Sequence, residues 1–236
     1  MIIPFYIGKN SNGHRQMIDL ADAAVMMISW SEEHSLLNAF AAIDAAIYPH
    51  KDFNYIIANS KNSSAWITSG CPHIVFWKDE PTNGTIESRD KLMKLIGKEI
   101  LFREKIIKKK PGKSFREYFL MNDSNEQPLS YRFLLIDDVW DLVRAKPKSL
   151  SLSFIRVMLY GPAVGIHTIF ASSISYRNLL QNLVNINPAI QQVLQAKYGI
   201  PEPTQINSMG QELIFTPDGL IYFKKDSRAD LLKLYS

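Results

Sequence analysis

The 236-residue chain has a single cysteine, Cys71, so it can form no internal disulfide and no multi-cysteine zinc site. A reducing compartment is the expected home, and burial is the ordinary fate of such a thiol. Long hydrophobic runs are also lacking. Asp19, Asp22 and Asp44 interrupt the most apolar region, which falls short of the roughly 20 apolar residues a membrane-spanning helix needs. The first residues lack the basic start and apolar middle of a secretory signal. These absences lead to the expectation of a cytoplasmic domain that does not itself insert in a membrane, while leaving room for a larger membrane-anchored protein around it. A third absence concerns phosphate: the cradle G-x-x-x-x-G-K-[ST] occurs nowhere. Internal repeats, heptad arrays and low-complexity segments are absent too.

What is present fits a globular protein with one substantial core, at 46% hydrophobic and 21% charged residues. A formal charge of +4 and a pI near 9.0 permit contact with an anionic partner without requiring it. The densest basic run, residues 105–113, reads as a solvated helix end that suits the helix dipole, and it lacks the interleaved aromatics of a nucleic-acid surface.

Along the chain, two β-prone runs around Asn10-Ser11-Asn12-Gly13 predict an N-terminal hairpin within residues 1–20. A short apolar strand is expected over 24–29, then a helix over 31–48 with Leu36, Leu37, Phe40, Ile43 and Ile47 at helical spacing. Strands are expected at 55–58 and 74–77, and a long charged amphipathic helix from Ser88 to about Lys109. Helices over 149–160 and 176–183 flank a buried strand at 166–171. Residues 210–226 read as a C-terminal hairpin turning at Pro217-Asp218-Gly219. Alternating strands and helices indicate a mostly parallel sheet flanked by helices, in one domain over 1–236.

The most informative stretch is YRFLLIDDVWDL, residues 131–142. Its apolar run ends in Asp137 and Asp138, and acids at the carboxyl end of a buried parallel strand sit where open α/β sheets bind ligands. Two readings stay open: a former magnesium site, or caps of the helix that starts at Val139. His167 reads as a structural residue, since a lone His seldom makes a ligand set. Trp30, Trp66, Trp77 and Trp140 read as core or interface anchors. Ser172 and Ser173 lack a His and Asp arrangement that would make either a nucleophile.

In this order the elements resemble the RecA-type motor domain of the FtsK/SpoIIIE family, which includes DNA translocases and the ATPases of type VII protein secretion. Ile7-Gly8-Lys9, Gly13 and Ile18-Asp19-Leu20 resemble the family's opening segment, and Leu134 to Leu142 its acidic strand. Gly161 to Ser175, GPAVGIHTIFASSIS, is similar to the family's "R..GIH.ilATQRP", with Gly165-Ile166-His167 on its Gly-Ile-His. Residues 210–223 resemble its closing strand pair. The resemblance implies a RecA-like P-loop fold, with hairpins at both ends of the chain.

The departures fall on residues that carry the family's chemistry. Where its phosphate loop joins strand to helix, this chain has Ser29, Trp30, Ser31, Glu32, Glu33, His34 and Ser35, without one glycine. Glycines let backbone N–H groups approach phosphate oxygens, and Trp30 cannot substitute for that. Glu33 falls at about the place of the lysine that should reach the phosphates, turning an attraction into a repulsion of about 1–4 kcal/mol per charge pair at about 4 Å. Asp138 stands at the position of the family's catalytic glutamate, one methylene short. Ser172-Ser173-Ile174 replaces its Thr-Gln-Arg sensor.

The resemblance therefore implies a catalytically silent domain with no expected cofactor and no expected metal, Asp137, Asp138, Ser172 and Ser173 being vestiges. Its implied context is a translocation motor, with the C-terminal ATPase module of a type VII secretion ATPase of the EssC or EccC kind as the foremost case. Partners would be other ATPase domains of the same or a neighbouring chain and a secreted protein, ahead of DNA. The alternative is a noncanonical active ATPase or DNA translocase using ATP and magnesium, with His34, Ser35 or a neighbour's arginine in the lysine's role.

Overall fold

The computed structural model describes residues 4–9, 12–19, 25–30, 53–58, 86–109, 114–120, 129–136, 138–144, 146–172, 174, 176–198, 211–215, 220–225 and 228–233. The strands are β1 (Pro4–Lys9), β2 (Arg15–Asp19), β3 (Val25–Trp30), β4 (Phe53–Ala58), β5 (Tyr131–Ile136), β6 (Ile166–Ser172), β7 (Gln211–Phe215), β8 (Leu220–Lys225) and β9 (Arg228–Lys233). The described helices are α1 (Ile86–Lys108), α2 (Phe115–Leu120), α3 (Val139–Arg144), α4 (Pro147–Tyr160), α5 (Tyr176–Ile186) and α6 (Ala189–Tyr198). The expected helix over 31–48 and the expected strand over 74–77 lie outside the described residues.

The nine described strands join one sheet in the order β2-β1-β9-β8-β7-β3-β6-β5-β4. From β7 to β4 every pairing is parallel, which needs the crossover helices the sequence supplies. From β7 outward the pairings are antiparallel through β8, β9 and β1 to β2. The C-terminal hairpin expected from the sequence is therefore also the fifth parallel strand, because β7 pairs with β8 on one side and with β3 on the other. Two elements exceed expectation. α6 begins at Asn187-Pro188, where the Asn187 Oδ1 accepts from the Ala189 N–H at 3.1 Å, and β9 extends the hairpin into a meander.

Side chains alternate across a strand, and this assigns the two faces of the sheet. Phe133 pairs with His167, so Tyr131, Phe133 and His167 share one face, on which the Phe115 and Phe119 rings of α2 meet Tyr131 edge-on. Phe170 is on the other face and receives Phe154 of α4 in a T-shaped contact at 5.2 Å. All seven residues of β6 are buried, which is why the strand tolerates no exposed charge. α1 packs along α4. α2 exists because Ser114 and Glu117 cap it reciprocally, each side chain accepting from the other's backbone N–H.

The turn from α4 into β6, Gly161-Pro162-Ala163-Val164-Gly165, fixes the amino end of the parallel strands. Gly165 has φ of 74°, and a Cβ there would strike the Phe115 ring. A Cβ on Gly161 would collide with the carbonyls of Val157 and Ile166, so both glycines are close-approach positions. Beneath this turn Arg103 of α1 is buried, donating from Nη1 to the carbonyls of Ser130 (2.8 Å) and Val164 (3.1 Å) and from Nε to Glu99 (2.9 Å). Burial pulls the guanidinium below its usual range, and the Glu99 carboxylate opposes that. Arg132 lies 3.6 Å from the same carboxylate, so one half-buried acid serves two arginines.

Candidate functional site

β3, β6 and β5 are adjacent, and β3 lies between β6 and β7. The connection after β3 leads to the β4 edge, whereas that after β6 leads to β7 on the other side, so the strand order reverses here. The carboxyl ends of these strands form the crevice in which doubly wound sheets hold ligands.

Ser29 and Trp30 are the last two residues of β3, so the strand expected over 24–29 runs one residue further, into the stretch compared with the phosphate loop. Ser29 pairs with Ser172 on β6 and with Ile214 on β7. On the far side Ile136 pairs with Phe170, so the chain emerging from β5 reaches Asp138 at about the height of Ser172. Ser29, Ser172 and Asp138 are thus brought to one edge by three neighbouring strands spaced about 4.8 Å apart. Ser31, Glu32, Glu33, His34 and Ser35, together with Asp137 and Ser173, lie outside the described residues.

The two polar side chains described most closely at this edge serve their own backbone. Asp138 Oδ1 accepts from the Trp140 N–H at 2.9 Å while the Asp138 carbonyl accepts from Leu142, which makes Asp138 the N-cap of α3. Ser172 is fully buried, and its hydroxyl accepts from the Ile174 N–H at 3.2 Å in a tight turn. A nucleoside triphosphate needs cations and free N–H groups, and its magnesium needs carboxylate oxygens held open. The described residues of this edge offer neither, and no group of three or more His, Cys, Asp or Glu side chains able to hold a metal occurs among the described residues.

His167, the centre of the most specific sequence match, is at the opposite end. It is 3% exposed at the start of β6, with the Tyr131 and Phe133 rings 5.7 and 5.6 Å away. Gly165-Ile166-His167 therefore secures the amino edge of the sheet.

A second concavity, about 550 Å³, lies between α1 and α4. Sequence reasoning passed over its residues. The available signal was Gly97 in mid-helix, a substitution that costs about 1 kcal/mol relative to Ala unless the missing side chain serves something. Among the described residues no helix is long and apolar enough to cross a membrane.

No protein-family model matches the chain. The DNA translocase FtsK of Treponema pallidum (strain Nichols) is 20% identical over 225 residues, which are 94% of this chain and 28% of the relative. The cytoplasmic domain of the Thermomonospora curvata type VII secretion ATPase EccC superposes with a TM-score of 0.68 at 15% identity, over 99% of this chain and 28% of that one. The structure of Thermomonospora curvata EccC (ATPases 2 and 3) in complex with a signal sequence peptide gives a TM-score of 0.62 at 13% identity, over 99% of this chain and 41% of that one. The fold is that of an FtsK/SpoIIIE-like ATPase domain, and the chain spans little more than a quarter of the curated relative's length.

Proposed function

We propose that the chain is a catalytically silent FtsK/SpoIIIE-like domain that binds partners or regulates its neighbours within a translocation motor, most concretely one for type VII protein secretion. The observation that carries this reading is the contrast at the carboxyl edge. The strand order that creates a nucleotide crevice is present, yet the connector leaving β3 has no glycine and no lysine through Ser35, and the described Asp138 and Ser172 are engaged in capping. A domain of this kind works through its surfaces. The likeness to multi-ATPase EccC, one structure of which holds a signal sequence peptide, supports other ATPase domains and a secreted protein as the partner classes. One domain over the whole chain is part of the same reading, since a single sheet collects strands from both ends.

The test is calorimetric titration of magnesium ATP into the protein, with phosphate release followed in parallel. Silence predicts no binding in the micromolar range and no release above the protein-free rate. Micromolar binding that disappears in Asp137→Ala would instead establish the noncanonical ATPase.

A further inference from the structure

The groove between α1 and α4 is apolar at its base and basic at its margin. Met93, Ile100 and Val157 present buried side chains to it, and Leu101 stands 59% exposed at its opening. Lys94, Lys98 and Arg156 bring three cations against one carboxylate, Glu104. Asp90 takes up Lys94 at 2.8 Å, whereas Lys98 and Arg156 meet no acid among the described residues. Gly97 lines the opening, and nothing lies within 4 Å of where its Cβ would stand. A glycine in a helix interior is destabilising, and no turn or close backbone approach requires it here. Its missing side chain leaves room for someone else's.

We infer that this groove receives the apolar face of an acidic amphipathic helix belonging to another polypeptide. The inference rests on the partner-binding reading above and names the chemistry of the partner. A helix laid into a hydrophobic groove anchors through residues at i, i+3 or i+4 and i+7, and acids flanking that stripe would meet Lys98 and Arg156. Charge disfavours a second copy of the chain, which carries +4. Nucleic acid is disfavoured by the apolar base, because backbone recognition tracks phosphates along a basic groove with stacking aromatics.

The probe is a stapled helical peptide with a leucine stripe flanked by glutamates, titrated by fluorescence anisotropy against the 236-residue chain. The control peptide carries lysines in place of the glutamates. The acidic peptide is expected to bind and the basic one not to. Gly97→Leu, which fills the groove, is expected to weaken binding ~10-fold or more, with Gly97→Ala and circular dichroism as the folding controls. The Lys98→Glu, Arg156→Glu double variant is expected to prefer the basic peptide. Failure of the acidic peptide to bind, equal binding of both peptides, or unchanged binding in Gly97→Leu would overturn the inference. So would duplex DNA competing at the groove, or a dimer in sedimentation that Gly97→Leu dissolves. Magnesium ATP binding would remove the silent reading and leave the groove standing, whereas peptide failure alone would remove only the groove.

Discussion

The two ends of the parallel strands use their polar groups differently. At the amino end, buried Arg103 and half-buried Glu99 and Arg132 form a network that ties α1 to the starts of β5 and β6, and the Phe115 ring packs against Gly165. Each group there binds an element distant in sequence. At the carboxyl end, Asp138 and Ser172 bond to backbone two residues away. The difference separates marks of fold from marks of chemistry. Gly165-Ile166-His167, the most specific part of the family resemblance, belongs to the end that holds the sheet together and says little about catalysis.

Substitutions at the two ends would break or sharpen that contrast. Gly165→Ala should be the most damaging, since it combines a left-handed conformation costing about 1–2 kcal/mol with about 1–3 kcal/mol of overpacking against Phe115. Urea unfolding should show about 2–5 kcal/mol lost, and a loss below 1 kcal/mol would mean that the seal is soft. Arg103→Met should cost about 2–3 kcal/mol, below the usual 3–5 for a broken buried pair because Arg132 stays beside Glu99. Adding Glu99→Gln should recover part of that loss in a double-mutant cycle, and additivity would show the two groups to be independent. At the other end, Asp138→Ala should cost only about 1 kcal/mol through the lost helix cap, whereas Asp138→Asn should be nearly neutral. An equal loss in both variants would show that the charge, and not the cap, is what matters.

Much of this architecture was legible. Period and punctuation located β3, β5, β6, α1 and both hairpins, because buried parallel strands are continuous apolar runs and α1 has a clear amphipathic pattern. The resemblance supplied the crevice. α6 escaped because its start signal, Asn187-Pro188, was not weighed, although an Asn cap with proline at the first helical position is a strong one. β9 carries three charged residues among six, Arg228, Asp230 and Lys233, whose spacing masks the strand period, and strands so composed are recognised mainly by what they pair with.

 The buried arginine was illegible for a different reason. Arg103 occupies a helix position where a charge ordinarily faces water, and the carbonyls of Ser130 and Val164, 27 and 61 residues away, join Glu99 in making its burial tolerable.

The strand order also bears on how the chain folds. β3 comes early, yet one of its two neighbours is not made until residue 166 and the other not until residue 211. The middle of the sheet must therefore wait for the chain to run out to β4 and return through β5 and β6, closing long loops before it gains its strongest contacts. During synthesis an unpaired, apolar β3 stays open to wrong partners for most of the chain's length. The strand at the heart of the finished molecule is the one most exposed while it is being made.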